Sequence, residues 1–380
     1  MEKKIALVVS SKELKNWSGG YSYYINLIKI ISQIKKLNLT IYTDSLSYIY
    51  KMGINSKVIV KELSCLKENS FLFLLRKFIN FLLSKDVYLY WIMRSDKIDV
   101  LSHRRLFKNK KIRVIGWIPD LQNKVLKVFF DKKSLKNREK YIQDEIKKSD
   151  KIFVSSFQVK KEFKKYYGLD KSIVPLRIPS SYSKGSYSKG KNNNLKDYIF
   201  FPSQFWKHKN HKYIINTAKI LKKEKIRIKF IFCGKIDDYR NNNNFDLINE
   251  DIKKFKLNGY ILNLGEVSKQ KLQKLQNNCT AFINPSYYEG WSTINEEARA
   301  KNKIIFLSEI PGHLEQNNHG SIYFKINEPK SLAKKIIKFL KKKNKIKSLK
   351  NCQKDLKFKK NITIESINIL NKNYFFKNEL

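Results

Sequence analysis

The sequence predicts an α/β protein made of two parallel-sheet halves that follow one another along the chain. Short apolar runs rich in β-branched residues alternate with longer amphipathic stretches, as strands and helices do in a parallel sheet covered on both faces. The alternation stops once, at 177–197, and then resumes. A chain of 380 residues with 42% hydrophobic residues is long enough for two such domains.

The first half, residues 1–180, is predicted to form an N-terminal Rossmann-like domain. Its predicted strands are Ile5–Val9, Leu39–Thr43, Lys57–Val60, Val87–Ile92, Asp99–Leu101, Ile112–Trp117 and Lys151–Val154. Amphipathic spacing predicts helices that include Tyr21–Lys35, Leu135–Lys148 and Gln158–Tyr167. Charged residues interrupt the apolar segment Phe71–Met93, so we predict a helix followed by a strand there and no membrane span.

The break at 177–197 is rich in Ser, Gly, Lys and Asn, and it contains the repeat SYSKG-SYSKG. Such a composition cannot bury a core, so residues 181–197 are predicted to be an interdomain or loop region. A second Rossmann-like domain is predicted at 198–354, and a packed helical tail at 355–380. The predicted strands of the second domain are Tyr198–Phe201, Ile228–Cys233, Tyr260–Leu264, Ala281–Asn284, Ile304–Leu307 and Ile322–Phe324. Its predicted helices are His211–Lys223, Lys269–Asn277, Thr293–Ala300 and Lys330–Lys342.

The most informative segment reads NPSYYEGWSTINEEA, and it links a predicted strand to a predicted helix. Gly290 gives a permissive backbone before the helix, and Ser292 or Thr293 can cap its first turn. The N–H groups at a helix start favour an anion such as a diphosphate. Glu289 and Glu297 would then flank a phosphate pocket, because carboxylates accept hydrogen bonds from sugar and ribose hydroxyls. An ordinary capped helix is the alternative interpretation.

This segment resembles the PS-x-x-EG-x6-EA-x-A element of retaining GT-B glycosyltransferases, specifically of glycosyltransferase family 4. The resemblance implies two Rossmann-like domains that face each other across a cleft. It also implies that Glu289 contacts the transferred sugar as a catalytic residue and that Glu297 contacts the donor ribose. The neighbours expected to line the same donor site are Gly290, Trp291, Ser292 and Thr293.

A second segment, FPSQFWKHKNH, also lies between a predicted strand and a predicted helix. It resembles the G-R-x4-K-G/N element of the same family, whose Arg and Lys bind the donor phosphates. Lys209 matches the Lys, and its compact positive charge suits a diphosphate. Gln204 stands where the Arg is usual, so the number of cationic phosphate contacts stays open. Both residues are expected to bind the donor.

Two segments of the first half resemble further elements of that family. The sequence NWSGGY places Gly19 and Gly20 in what resembles the N-terminal GG loop, where backbone can approach the donor closely. The sequence GWIPDLQN resembles an IPD-x-QH element, which implies Asp120 as a catalytic residue and Gln122 and Asn123 as acceptor-side residues. No histidine stands there, so a general base is unassigned. The family resemblance implies front-face transfer assisted by the donor phosphate.

Composition limits the expected partners. The sequence holds no D-x-D, H-E-x-x-H or C-x-x-C pattern, so we expect no metal and no cofactor besides a nucleotide-sugar substrate. The net charge of +46 is spread along the chain rather than gathered in a nucleic-acid-binding module, and no nucleic-acid partner is expected. The charge reflects either compositional bias or attraction to an anionic membrane surface. Because the sequence predicts no export signal and no membrane span, we expect a cytoplasmic protein, and the second interpretation of the charge would place it at the inner face of the membrane.

The resemblance implies a retaining, metal-independent hexosyltransferase. It would move a sugar from a nucleotide diphosphate donor to a glycan or glycolipid acceptor, in cell-surface polysaccharide or lipopolysaccharide biosynthesis. One alternative is a GT-B nucleotide-sugar epimerase, which would need no acceptor. The other is a basic nucleic-acid-binding protein, which would bind with a steep salt dependence.

Overall fold

The computed structural model describes most of the chain, and its described residues are 2–16, 18–54, 57–179, 197–236, 243–316, 320–342 and 352–375. Apart from Asp197, the predicted interdomain region 181–197 lies outside these residues. The chain divides into two compact units. The first consists of Met1–Leu121, Lys136–Ser180 and Lys359–Leu380, and the second of Gln122–Leu135 and Ser181–Phe358.

Strands and helices alternate through both units. The strands are β1 (Lys3–Val9), β2 (Leu37–Thr43), β3 (Ile59–Glu62), β4 (Val100–Ser102), β5 (Arg113–Trp117), β6 (Lys151–Val154), β7 (Ile173–Pro175), β8 (Tyr198–Pro202), β9 (Lys229–Cys233), β10 (Ile261–Asn263), β11 (Ala281–Asn284), β12 (Ile304–Ser308) and β13 (Ser321–Phe324). The helices are α1 (Ser11–Asn16), α2 (Ser18–Ile31), α3 (Leu46–Tyr50), α4 (Phe71–Leu83), α5 (Val87–Ser95), α6 (Gln122–Val125), α7 (Lys132–Lys148), α8 (Phe157–Tyr167), α9 (His211–Lys223), α10 (Asn244–Lys254), α11 (Lys269–Asn278), α12 (Thr293–Ala300), α13 (Pro311–Gln316), α14 (Pro329–Lys342) and α15 (Cys352–Phe375).

The described strands of the first unit form one parallel sheet in the order β3-β2-β1-β4-β5-β6-β7. Along β1, the buried side chains alternate between two apolar clusters. Ile5, Leu7 and Val9 belong to one cluster, whereas Ala6 and Val8 belong to the other. Because successive strand residues point to opposite faces, the sheet is buried on both sides, as the sequence predicts.

The described strands of the second unit form a parallel sheet in the order β10-β9-β8-β11-β12-β13. In both units the chain starts in the middle of the sheet, moves outward to one edge, and then crosses to the other side of the starting strand. This is the doubly wound order of Rossmann-like domains. The prediction of two such domains in one chain is therefore confirmed.

The predicted helix and strand over Phe71–Met93 are instead two helices, α4 and α5, so the strand prediction at Val87–Ile92 is wrong. Asp86 caps α5 by accepting a hydrogen bond from the Leu89 backbone N–H at 3.3 Å. The cap and the burial of Leu89 and Met93, one helical turn apart, outweigh the strand preference of the local residues. In the described part of the chain, no helix is both long and apolar enough to cross a membrane.

The sequence resemblance implies a loop at Gly19 and Gly20, but the structure has none there. They lie in the first turn of α2, and a short helix, α1, occupies the connection after β1. The backbone N–H groups of a first turn have no partner within the helix, so glycine costs less stability there than in a helix interior.

Candidate active site

The candidate site lies at the carboxyl edge of the second sheet, where β8 and β11 are neighbours. From β8 the chain crosses to β9 on one side, and from β11 it crosses to β12 on the other. The loops that follow β8 and β11 therefore diverge and leave a crevice between them. In doubly wound sheets this switch point is where ligands bind.

Backbone and side-chain hydrogen bonds join these two loops. The Tyr287 backbone N–H donates to the His208 carbonyl at 2.8 Å. The Asn210 side chain donates to the Pro285 carbonyl at 3.2 Å. Asn210 adopts the left-handed conformation with φ of 59°, which asparagine tolerates better than most residues, and it ends the 3-10 turn that contains Lys209. Together these contacts fix the backbone of Lys209 beside the loop of β11.

Lys209 and Glu289, which the sequence places 80 positions apart, form an ion pair. The Lys209 Nζ lies 2.7 Å from Glu289 Oε1, and the two side chains are 15% and 10% exposed. The Ser286 hydroxyl donates to the same carboxylate oxygen at 2.7 Å. Burial alone would raise the pKa of Glu289, but the Lys209 ammonium and these hydrogen bonds outweigh it, so the pKa lies below its usual value. Glu289 is therefore ionised at neutral pH.

A network of buried polar side chains lies next to Glu289. The His313 Nδ1–H donates to the Ser308 carbonyl at 2.9 Å, and its Nε2 lies 3.1 Å from the Asn284 amide nitrogen. Asn284 Oδ1 lies 2.6 Å from the Ser286 hydroxyl oxygen, so it is a second acceptor for the one proton of this hydroxyl. Burial lowers the pKa of His313 to about 4, so this histidine is neutral and can accept a hydrogen bond. The network holds the Ser286 hydroxyl next to Glu289 without adding a second positive charge.

The start of α12 is fixed by two side chains. Ser292 caps the helix, since its hydroxyl accepts from the Asn295 N–H at 3.3 Å. Gln316 of α13 accepts from the Ser292 N–H at 3.1 Å and donates to the Ser292 carbonyl at 3.0 Å. Two N–H groups of this helix start are thus already bonded within the protein. Gly290 is buried, Thr293 is half-buried, and the buried indole N–H of Trp291 has no hydrogen-bond partner among the described residues.

Glu297 lies one turn into α12 and has a different environment from Glu289. Its Oε2 accepts from the Gln276 side chain of α11 at 2.7 Å. Burial raises the pKa of Glu297 to about 7, against the opposing effects of Lys301 and of the Gln276 hydrogen bond. The two carboxylates of the predicted pair therefore have pKa values that are shifted in opposite directions, which is common where two acids have separate tasks.

Comparison with known proteins identifies the part of the chain that contains this site. Residues 186–356 match the family model described as "Glycosyl transferases group 1". This stretch of the second unit is similar to group 1 glycosyltransferases. Lys209, Glu289 and Glu297 all lie within the matched residues. The narrower assignment to glycosyltransferase family 4 stays a prediction.

One curated relative is the O-antigen chain mannosyltransferase RfbU of Salmonella typhimurium, which is 25% identical over 186 residues. The match covers 49% of this chain and 50% of RfbU, so this chain spans about half the length of that relative.

Solved structures extend the likeness to both units. Sucrose-phosphate synthase from Thermosynechococcus elongatus matches with a TM-score of 0.70 and 10% identity over 98% of this chain and 99% of its own. The Anabaena protein HepE in complex with UDP-glucose matches with a TM-score of 0.64 and 11% identity over 95% and 98%. At such identities the likeness shows the fold, which is the GT-B fold of glycosyltransferases.

A glycine of α13 limits the position of Glu289. A Cβ atom added to Gly312 in α13 would lie 2.1 Å from the Glu289 carbonyl oxygen. We expect Gly312→Ala to push the Glu289 loop outward, to destabilise the protein by about 1–3 kcal/mol and to reduce activity at least about tenfold. Gly259→Ala is the matched control, because a Cβ there meets nothing within 4 Å. Thermal unfolding and an activity assay of both variants check this, and equal behaviour of the two variants would contradict it.

Gln204, which the sequence predicts to bind the donor, is half-buried in the loop after β8, and its role stays a prediction. Gly234, at the end of β9, packs directly behind this loop, since a Cβ there would lie 2.2 Å from the Ser203 carbonyl oxygen. The Phe205 N–H donates to the Lys235 carbonyl at 3.1 Å and fixes the loop to the same strand end.

The other predicted site residues belong to other segments of the chain. Asp120 belongs to the first unit and forms an ion pair with Arg138 at 2.6 Å. Gln122 and Asn123 are buried in α6, and their segment clusters with the second unit. Gly19 and Gly20 belong to α2 of the first unit. The roles of these five residues stay predictions.

Sequence reasoning missed the residues that support Glu289 and the start of α12. They are Asn284, Ser286, Ser308, Gly312, His313 and Gln316. Asn284 and Ser286 are part of the quoted motif, and their position directly after a buried strand could have indicated them. His313 and Gln316 come from a short helix after the next strand, where no sequence pattern marks their partners. Among the described residues, no group of three His, Cys, Asp or Glu side chains could hold a metal ion.

Proposed function

We propose that this protein transfers a sugar from a nucleotide diphosphate donor to a hydroxyl group of a glycan or glycolipid. The observation that carries the proposal is the ion pair of Lys209 and Glu289 at the switch point of a group 1 glycosyltransferase domain. A cation for a diphosphate and an ionised carboxylate for sugar hydroxyls stand side by side there.

Each of these side chains has a role that its chemistry supports. Lys209 would bind the diphosphate and stabilise the charge that develops on it as the sugar departs. Glu289, which is ionised, would accept hydrogen bonds from the transferred sugar and hold Lys209 in place. Glu297 would accept hydrogen bonds from the donor ribose, which is its role in the family that the sequence resembles.

We further propose that transfer retains the anomeric configuration. The bond between the anomeric carbon and the diphosphate oxygen breaks, and the acceptor oxygen bonds to that carbon on the same face. The acceptor proton passes to the departing diphosphate oxygen, so no enzymatic base is needed. Lys209 supplies positive charge where the leaving group would sit, and we therefore expect transfer to need neither a metal ion nor a cofactor.

The setting that we propose is the assembly of a cell-surface polysaccharide or lipopolysaccharide in the cytoplasm. The relative named O-antigen chain mannosyltransferase supports this choice, and a hexose is the expected sugar. The acceptor would be a glycan or glycolipid at the inner face of the membrane.

The test begins with a thermal-shift panel of UDP-, GDP- and ADP-sugars, which identifies the donor without an acceptor. The preferred donor is then incubated with lipid-linked glycan acceptors, with and without EDTA, and the anomeric configuration of the product is determined by NMR. We expect a glycosylated acceptor with retained configuration in both conditions. A new sugar formed from donor alone would show an epimerase instead, and the absence of stabilisation by any donor would contradict the proposal.

The pKa of Glu297 predicts the pH dependence of donor binding. Because its pKa is about 7 in the free protein, Glu297 is largely protonated at pH 6 and largely ionised at pH 8. The proposed hydrogen bonds from the ribose hydroxyls need the carboxylate form, so donor affinity should rise with pH across this range, by up to about tenfold per unit below pH 7. The measurement is calorimetric titration of the intact nucleotide-sugar, whose diphosphate does not titrate in this range.

Glu297→Gln is the control for this pH dependence, because it keeps the side-chain size and removes the titrating proton. We expect the variant to bind the donor weakly and with no slope between pH 6 and 8. A wild-type affinity that falls with pH, or a slope that persists in the variant, would contradict the role of Glu297.

A further inference from the structure

Helix α4 presents an apolar face to solvent. Large apolar side chains are exposed at helical spacing, from Phe71 (77% exposed) through Phe78 (59%) to Phe81 (83%). The members of this face, termed the α4 stripe, are Phe71, Leu74, Leu75, Phe78, Phe81 and Leu82. Their intervals of three and four residues place them along one side of the helix.

The opposite side of α4 carries the buried charge. Arg76 is buried, and its Nε donates to Asp86 Oδ1 at 3.0 Å and its NH1 to the Cys65 carbonyl at 3.2 Å. A surface helix in water normally buries its apolar residues and exposes its charges. In α4 the exposed side is apolar apart from Lys77, whereas the ion pair of Arg76 and Asp86 faces the protein. This orientation indicates that the stripe meets an apolar phase.

The surroundings of the stripe are aromatic and positively charged. Trp91 of the adjoining helix α5 is 69% exposed. Lys77 lies beside the stripe with its Nζ 4.7 Å from the centre of the Phe73 ring, and Lys85 follows two residues after the helix. The sequence of α4 contains no acidic residue. Tryptophan and lysine next to an apolar helix face are typical of helices at the boundary between lipid headgroups and acyl chains.

We propose that the α4 stripe docks this protein onto an anionic lipid bilayer, with its side chains among the acyl chains and Lys77 and Lys85 at the headgroups. A second copy of the chain fits less well. Each copy has a net charge of +46, so two copies repel each other, whereas an anionic bilayer attracts both.

Vesicle sedimentation tests the stripe without any substrate. Vesicles of phosphatidylcholine with 30–40% phosphatidylglycerol (about the anionic content needed for attraction) are mixed with the wild type and with the double variant Phe78→Gln, Phe81→Gln. We expect the double variant to bind on the order of 100-fold more weakly. Leu247→Gln is the matched control, because Leu247 is 50% exposed on helix α10 of the other unit, and it should bind like the wild type.

The charge contribution is tested separately. Lys77→Glu should weaken binding to anionic vesicles several-fold, and vesicles of phosphatidylcholine alone should bind the wild type weakly. The proposal is overturned if the double variant sediments with vesicles like the wild type. It is also overturned if the wild type stays free of vesicles and forms a dimer that the double variant lacks in analytical ultracentrifugation. Donor stabilisation in the thermal-shift panel should be the same for all these variants, so a failure here is distinct from a failure of the proposed transferase activity.

Discussion

Lys209→Met is expected to reduce sugar transfer by at least about 1000-fold while leaving the fold intact. Under the proposed function, the substitution would remove a charge-assisted contact of roughly 1.5–3 kcal/mol to the donor diphosphate. It would also remove the positive charge that we propose stabilises the leaving group in the transition state, which is worth roughly 100- to 1000-fold more in rate. Steady-state kinetics with the preferred donor and acceptor measure both effects, as a higher donor KM and a lower kcat.

Lys207→Met is the matched control, because Lys207 lies in the same 3-10 turn with an exposed side chain. It removes one positive charge from the same segment and should change transfer less than about threefold. If Lys209→Met and Lys207→Met have similar activity, Lys209 does not contact the diphosphate.

Glu289→Gln is the second change for which we expect a large loss, of about 100- to 1000-fold in kcat. The amide keeps the shape of the side chain but removes the charge that pairs with Lys209 at 2.7 Å. It would also accept fewer hydrogen bonds from the transferred sugar. Because the proposed diphosphate contact of Lys209 would survive in part, the donor KM should change much less than kcat.

The control for Glu289→Gln is Glu250→Gln, which neutralises an exposed carboxylate on helix α10. Combining Glu289→Gln with Lys209→Met should cost far less than the product of the two single losses, because the two side chains act as one unit. Fully multiplicative losses, or a Glu289→Gln variant with normal kcat, would show that the ion pair has no part in the chemistry.

Much of the fold follows from the alternation of apolar runs and amphipathic stretches. Residues 211–223 and 293–300 form helices with the predicted bounds, because the amphipathic spacing is clear in both and Ser292 caps the second. The prediction fails at Val87–Ile92, where β-branched and aromatic residues favour a strand. Asp86 decides the outcome by capping a helix and by pairing with Arg76 of α4, and that second contact depends on tertiary structure.

The sequence predicts site residues only where a charged or polar side chain comes shortly after a predicted strand. Lys209 and Glu289 each follow a buried strand, but only the sheet order, with β8 next to β11, brings them within 2.7 Å. The supporting contacts of Asn284 with His313, and of Ser292 with Gln316, join segments that are 24–29 residues apart. No local pattern specifies such pairs, because they depend on how α13 packs against the loop of β11.

The central claim is that the crevice between β8 and β11 binds the diphosphate of a nucleotide through Lys209. Calorimetric titration of the preferred nucleoside diphosphate and of the matching monophosphate, into the wild type and into Lys209→Met, tests it most directly. We expect the wild type to bind the diphosphate at least about tenfold more tightly than the monophosphate, and the variant to lose this preference. Equal affinity of the wild type for both nucleotides, or an unchanged preference in the variant, would contradict the account.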